Sequence, residues 1–436
     1  MFGLQLGRLG IAGSLWNERA LWPQGASSPG LWIDPSYVAS CFQDSAGTTS
    51  LSAIGTVLDS ANPVGLILDR KAGATTLAGP GIHLQQATSA ARPVASARVN
   101  LLTYSEDFTN ANWNKTNCVL SVGAAGENTL TVTATAFTRV SQTVVAATAS
   151  RTLQIELRAG SITSGAVGQY SVELGWGSSS TGVIVSGPGA ISNIIGALFQ
   201  VTGLSTTEKT KIVITRNDCG TTDTFAILYP NDSYSAPAGG TLHVSYPQIN
   251  LGSTALPYQR VGAASDYDTS GFPVFAKLDG VDDSLASATF AAGTLTSSMD
   301  CLIAVRRDSV TSAVCGLYNA VADATKYFGM AESASSAAAV GTGAGTPTIW
   351  VDGTQLTGGT AVTRGTLHTA LTVGSWHILE LRGLDLSTWT ATGIGNYTGY
   401  VLNGTNGAIQ LFASGQDANR DKARARMAAY FGVTLA

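Results

Sequence analysis

Charge is scarce in this chain: Asp, Glu, Lys and Arg make up 12% of its 436 residues, about half the share usual in soluble domains. With 24 basic against 28 acidic residues, no clustered Lys and Arg footprint exists to hold phosphates. That excludes nucleic acid as a partner and leaves nothing to attract the chain to an anionic membrane. Cysteine is equally sparse. Cys41, Cys118, Cys219, Cys301 and Cys315 are odd in number, far apart and without a C-x-x-C pair, so they support neither a disulfide framework nor a zinc site. Free, buried thiols of a protein assembled in a reducing compartment are the expectation. No run of about 18 apolar residues occurs, so no membrane insertion is predicted. The apolar N-terminal stretch around Leu9 to Leu15 is broken by Gly10 and Gly13 and followed by Trp16, Glu18 and Arg19, which does not read as a signal peptide.

Catalytic signatures are missing too. There is no G-x-S-x-G elbow, no H-E-x-x-H and no Walker loop, and His83, His243, His368 and His377 are scattered. Gly341-Thr-Gly-Ala-Gly345 is low-complexity sequence without the strand and helix that aim a dipole at an anion. Glycan hydrolysis needs two carboxylates facing each other at roughly 5–10 Å, whereas Glu156 and Glu173 alternate with apolar neighbours like outward residues of a sheet. No enzyme and no catalytic residue are expected. Heptads, collagen triplets and β-helix repeats are absent, which favours compact domains over a long shaft.

What is present is period-two patterning. At 436 residues the length implies two or three domains. Leu153, Ile155 and Leu157 alternate with Gln154, Glu156 and Arg158; Tyr170, Val172, Leu174 and Trp176 share a face; Leu242, Val244 and Tyr246 alternate with Thr241, His243 and Ser245 until Pro247 interrupts. A proline without an N–H sits in a sheet only at an edge or bulge. Further on, 376–382 reads as a central strand, 408–412 as the last strand, and 416–431 as a terminal helix, the longest in the chain. That helix sets Ala425, Met427, Ala428 and Phe431 near one side, with Gly432 as its stop. The predicted fold is mostly β: two antiparallel jelly-roll sandwiches in tandem after an irregular N-terminal segment, with a short C-terminal helix. The expected divisions are 1–95, 96–264 and 265–436.

The stretch Asn100-Leu-Leu-Thr-Tyr-Ser-Glu-Asp-Phe108, together with Gln248-Ile-Asn-Leu-Gly-Ser-Thr-Ala-Leu-Pro-Tyr-Gln-Arg-Val261, resembles the opening and closing brackets of a carbohydrate-binding-module-like jelly roll in tailed-bacteriophage virion proteins. The brackets are taken as the first and last strands of one sandwich. Gly30-Leu-Trp-Ile-Asp-Pro-Ser36, Phe42-Gln-Asp-Ser-Ala-Gly-Thr-Thr49 and Pro63-Val-Gly-Leu-Ile-Leu-Asp69 resemble a series that precedes the jelly roll in phage structural proteins. Leu278-Asp-Gly-Val-Asp-Asp-Ser-Leu285 and the terminal helix resemble concanavalin A-like, laminin-G-like modules. The resemblance implies a virion component of tail spike or fibre type, facing outward, binding host surface glycan, and released by lysis. It also implies a homo-oligomer, with a trimer favoured. A head-decoration or tail-assembly role without a receptor stays open, as does a glycan depolymerase.

Candidate sites follow. Trp16, Trp22 and Trp32 lie amid Pro23, Gly25, Pro29 and Gly30, a stretch unable to bury them in a helix. They are read as a docking surface for other virion proteins within 1–95, or as a tail packed back on a sandwich. Trp389, Asn396, Tyr397 and Tyr400 lie among glycines and threonines, a mixture suited to a loop-borne sugar site, with Asn396 able to donate and accept toward hydroxyls. The alternative is that Trp389 and Tyr400 are core. Asp279, Asp282 and Asp283 suggest calcium, a hard cation that takes carboxylate oxygens. A turn entering a strand explains the first of them without metal, and no other cofactor is expected.

Overall fold

The computed structural model describes residues 30–51, 63–71, 76–78, 81–123, 126–134, 138–146, 149–161, 172–176, 182–186, 189–194, 197–202, 204–220, 222–228, 238–263, 266–269, 271–309, 314–321, 323, 325–331, 333–356, 362–395 and 402–436. Strands dominate, with 44% of residues in strands and 10% in helices. The chain forms two compact units. One spans 98–268; the other combines 1–97 with 269–436.

In the 98–268 unit two six-stranded sheets face each other. One runs in the order Gly189–Ile194, Thr210–Cys219, Ala149–Ala159, Thr241–Leu251, Glu127–Val132, Cys118–Val122; the other runs Gly182–Ser186, Ala197–Thr202, Val172–Trp176, Thr222–Leu228, Arg139–Val145, Asn114–Thr116. Pairing is antiparallel except for Gly182–Ser186 with Ala197–Thr202 and Gly189–Ile194 with Thr210–Cys219. Leu130, Leu153, Ile155, Leu157, Ile212 and Val244 from the first sheet meet Val140, Phe225 and Ile227 from the second in one buried cluster. Period-two alternation turns one face of each strand inward, which is how such a sandwich forms. Arg151 and Asp223, both buried and 3.0 Å apart, bridge the two sheets.

Strand Thr241–Leu251 sits inside its sheet, between Ala149–Ala159 and Glu127–Val132. The interruption at Pro247 is therefore a bulge: Gln154 opposes Gln248 while Glu156 opposes Ser245, so Tyr246 and Pro247 together face Ile155. Tyr246 takes φ +52° to make the step. One extra residue shifts the side-chain parity, and the core residues pass from Leu242 and Val244 to Ile249.

The opening bracket differs from expectation. Residues 100–113 form turns rather than a strand. Asn100 replaces the ladder with its side chain: its amide donates to the carbonyls of Pro247 and Gln259 and accepts from the N–H groups of Leu102 and Ile249. Gln259 accepts from Val99 and Asn100, donates to Asp268, and gives its own N–H to Gln248. All three amide residues, Asn100, Gln248 and Gln259, are fully buried. The two brackets thus interlock as one amide clasp.

The second unit also holds two sheets. Thr354–Gln355, Thr348–Val351, Trp376–Leu384, Met299–Ser309, Asn403–Ala413, Phe275–Asp279 and Val94–Ser96 follow in order, with Gly30–Ile33 also pairing to Asn403–Ala413. The other runs Cys41–Phe42, Leu66–Ile67, Leu84–Gln85, Ser284–Ser287, Gly393–Gly395, Val314–Asn319, Tyr327–Ala331, Gly341–Thr342. Described residues of 30–97 are therefore woven into this sandwich, with strand Val94–Ser96 beside Phe275–Asp279. The turns in this segment are built on aspartates. Asp44 accepts the N–H groups of Ala46, Thr48 and Thr49, while Asp69 accepts those of Trp32, Lys71 and Ile82. Gly65 lies so close that a Cβ there would sit 2.5 Å from the Gln43 carbonyl oxygen.

Helix Asp417–Phe431, the longest among the described residues, ends at Gly432 with φ +71°. It packs Ala423, Met427, Ala428 and Phe431 over Trp32, Leu302, Ala304, Ile378 and Phe412. Ala425 is exposed and Ala423 takes its place, because 420, 423, 427 and 431 make the three-and-four stripe. Arg420 is buried in that stripe, 2.8 Å from the fully buried Glu380. Glu380 also holds Arg424 at 2.7 Å and Arg382 at 2.5 Å.

Candidate functional site

The expected docking residues separate at once. Trp16 and Trp22 lie outside the described residues. Trp32 is 2% exposed, because its strand pairs with Asn403–Ala413 and delivers the indole beneath the terminal helix. It is core, not a surface awaiting another chain. Arg70 lies over its ring at 4.5 Å and over the Tyr37 ring at 3.4 Å.

The expected sugar loop also divides. Asn396, Tyr397 and Tyr400 lie outside the described residues. Trp389 is fully buried, stacked on Tyr318 at 5.5 Å, with its indole N–H given to the Gly343 carbonyl. It holds the low-complexity segment down and has no face to offer a ligand. Other aromatics are likewise occupied: Trp113 packs on Phe108 at 4.1 Å, and Trp350 lies under Arg382 at 4.3 Å.

Asp279, Asp282 and Asp283 do come together, with carboxylate oxygens within 4.8 Å of one another. Two of the three serve the turn: Asp279 accepts the N–H of Val281, and Asp283 accepts the N–H of Asp279. Burial, and then the charges of Asp279 and Asp282, push the Asp283 carboxyl up to about 7. Calcium needs six to eight oxygens, and the turn already accounts for part of this set without a metal.

A concave site lies elsewhere in this unit. At one end of the paired strands Leu84–Gln85 and Ser284–Ser287, a cleft of about 350 Å³ is walled by Leu77, His83, Gln85, Ser287, Thr289 and Phe290, with Gly81, Ile82 and Ala288 completing it. Its walls are firmly held. Ser287 gives its N–H to the Thr392 carbonyl and accepts the Thr392 N–H on its hydroxyl oxygen. Phe290 gives its N–H to Thr390 at 2.7 Å. His83 accepts the Asp69 N–H on Nδ1, which assigns the ring proton of the neutral form to Nε2. Sequence reasoning missed this cleft because its walls come from segments some 200 positions apart; the aromatic Phe290 just past a strand end was the one available signal.

In the 98–268 unit, Glu127 gathers Arg158 at 2.6 Å, His243 at 3.3 Å and Lys209 at 3.7 Å on a sheet face. Burial alone would raise the Glu127 carboxyl, but the hydrogen bond and charge of Arg158, with His243 and Lys209, hold it below the usual range. A carboxylate so held is a poor proton donor at neutral pH.

The fold defines a mostly β protein of two antiparallel sandwiches. No family model matches the chain, and no curated protein matches it. Among solved structures, the enzymatically active domain of bacteriophage CBA120 tailspike protein 4 aligns over 36% of this chain and 22% of its own length, at 9% identity and TM-score 0.24. The N-terminal tandem CBM22 domain of Paenibacillus barcinonensis Xyn10C aligns over 73% of this chain and all of its own, at 13% identity and TM-score 0.23. Scores of this size carry no argument about shared function.

Proposed function

We propose that the chain is a tailed-phage virion protein, of spike or fibre type, that recognises host surface glycan and has no catalytic role of its own. The observation that carries this reading is the paired bracket sequence around Asn100 and Gln259, whose resemblance to phage virion modules extends through both ends of the 98–268 unit. The physical setting agrees: the bracket residues form a buried clasp, a scaffold part, so glycan recognition falls to loops and clefts.

The test uses particles of the phage that encodes the chain. Mass spectrometry of purified virions should detect it, and the recombinant chain should compete with particles for adsorption to host cells but not to cells whose surface glycans are oxidised by periodate. Absence from purified particles overturns the reading. Presence without competition selects the head-decoration or tail-assembly role. Release of reducing ends from host polysaccharide by the recombinant chain selects the depolymerase.

A further inference from the structure

We infer that the cleft at the end of the Leu84–Gln85 and Ser284–Ser287 strand pair is a saccharide subsite that takes one neutral pyranose ring. The inference rests on the glycan-binding reading and deepens it by naming a site and a sugar class.

Size sets the first limit. Small-ligand pockets span about 300–1,000 Å³, and this one, at about 350 Å³, stands at the bottom of that range. It suits a single ring better than a stretch of polymer. Chemistry sets the second limit. Among the described residues the lining holds no Asp, Glu, Lys or Arg, and its His83, which accepts the Asp69 N–H on Nδ1, offers in its neutral form an N–H donor rather than a charge, so the carboxylate of a uronic or sialic acid would be desolvated there without a fixed counter-charge, an expensive arrangement. A neutral ring meets no such cost.

What the walls do offer matches a pyranose on both of its aspects. Phe290 and Leu77 supply apolar surface for the C–H face of the ring, as aromatic platforms do. Gln85 presents an amide that both donates and accepts, and Thr289 and Ser287 present hydroxyls. The Ser287 oxygen already accepts from Thr392, which leaves its O–H to donate. These groups stand on backbone fixed by the 84–85/286–287 pairing and by the Ser287 and Phe290 bonds to 390–392. Little side-chain and loop ordering then remains to be lost on binding, which weak sugar ligands require.

The experiment takes the full chain. It is first put on an array of host-type and general glycans, then titrated with methyl glycosides of glucose, galactose and mannose, and with methyl glucuronide, by saturation-transfer NMR. A neutral glycoside should receive saturation and the glucuronide should not. Phe290→Ala and Gln85→Ala should each weaken the neutral ligand by about ten-fold or more with thermal unfolding unchanged, while Tyr37→Ala, on the Arg70 stack, should bind as the parent does. Should Phe290→Ala lower the melting temperature, Gln85→Ala and the exposed Thr289→Ala carry the test. Glycan binding that survives these substitutions, or that favours the glucuronide, overturns the subsite while leaving glycan recognition standing. Failure to bind any glycan on the array overturns both.

Discussion

The 98–268 unit closes on neutral amides, whereas the unit that joins 1–97 to 269–436 closes on buried charge. In the first, Asn100, Gln248 and Gln259 tie the ends of the segment together through hydrogen bonds among side chains and backbone. In the second, Glu380 at the sheet surface draws in Arg420 and Arg424 from the terminal helix, and Trp32 from the N-terminal segment fills the space beneath that helix. An amide clasp donates and accepts without desolvating a formal charge. Glu380 is the hub of that charge cluster: removing it takes a partner from Arg420, Arg424 and Arg382 at a dry site, although Arg420 keeps Asp300, Asp417 and Asp421 and Arg424 keeps Asp421. The two units should therefore fail differently.

The sharpest break is deletion of residues 1–97. A segment that merely precedes two jelly rolls could be removed without unfolding them; the pairings Gly30–Ile33 with Asn403–Ala413, Leu84–Gln85 with Ser284–Ser287 and Val94–Ser96 with Phe275–Asp279 predict the opposite for one unit. Calorimetry of the truncated chain should show the 98–268 transition retained and the other lost. Two intact transitions would mean that these strands contribute nothing to cooperativity.

Glu380→Ala comes next. It takes the 2.8 Å partner from Arg420, which keeps Asp300, Asp417 and Asp421, so the loss should fall at about 3 kcal/mol, the low end for breaking a buried pair. Urea unfolding followed by calorimetry should assign the loss to the composite unit alone. Asn100→Ala tests the other clasp: it strips partners from Leu102 and Ile249 N–H groups and from two carbonyls, for a loss of about 2–3 kcal/mol confined to the 98–268 transition. Equal effects on both transitions from either substitution would erase the distinction.

The smallest effect is a slope with pH. Asp283 rises from 3.8 to about 7 in the folded chain. Between those values the folded state keeps a proton that the unfolded state has released, so the composite unit loses stability as pH rises from about 4 to about 7, at up to about 1.4 kcal/mol per pH unit. Asp283→Asn should flatten melting temperature across that window, with the 98–268 transition as internal reference. An unchanged slope in the variant would assign the titration to another group.

Much of this was legible beforehand. Period-two runs such as Leu153, Ile155 and Leu157 read correctly as inward faces, because alternation is a local consequence of the pleat. Pro247 announced a bulge or edge by lacking an N–H, and Gly432 announced the helix stop. Residues 100–113 misled because Leu101 and Tyr104 make single backbone bonds, to Ile249 and Gly262, without extending into a strand, and only the fold shows the Asn100 side chain joining them to the closing bracket. In the sequence Trp389 and Trp32 stay open between site and core, because glycine and proline around an indole describe the local chain, not what lies over the ring; both are core.

The sequence by itself determined the fold class, the strand faces and the terminal helix, since each depends on residues near one another along the chain. Only the tertiary structure decided that 30–97 belongs with 269–436, that Arg420 turns inward toward Glu380, and that His83, Gln85, Ser287 and Phe290 wall one cleft. The first and the last depend on pairings between segments separated by about 200 residues or more, the second on a contact between strand and helix, and all three on burial energy that no local pattern encodes.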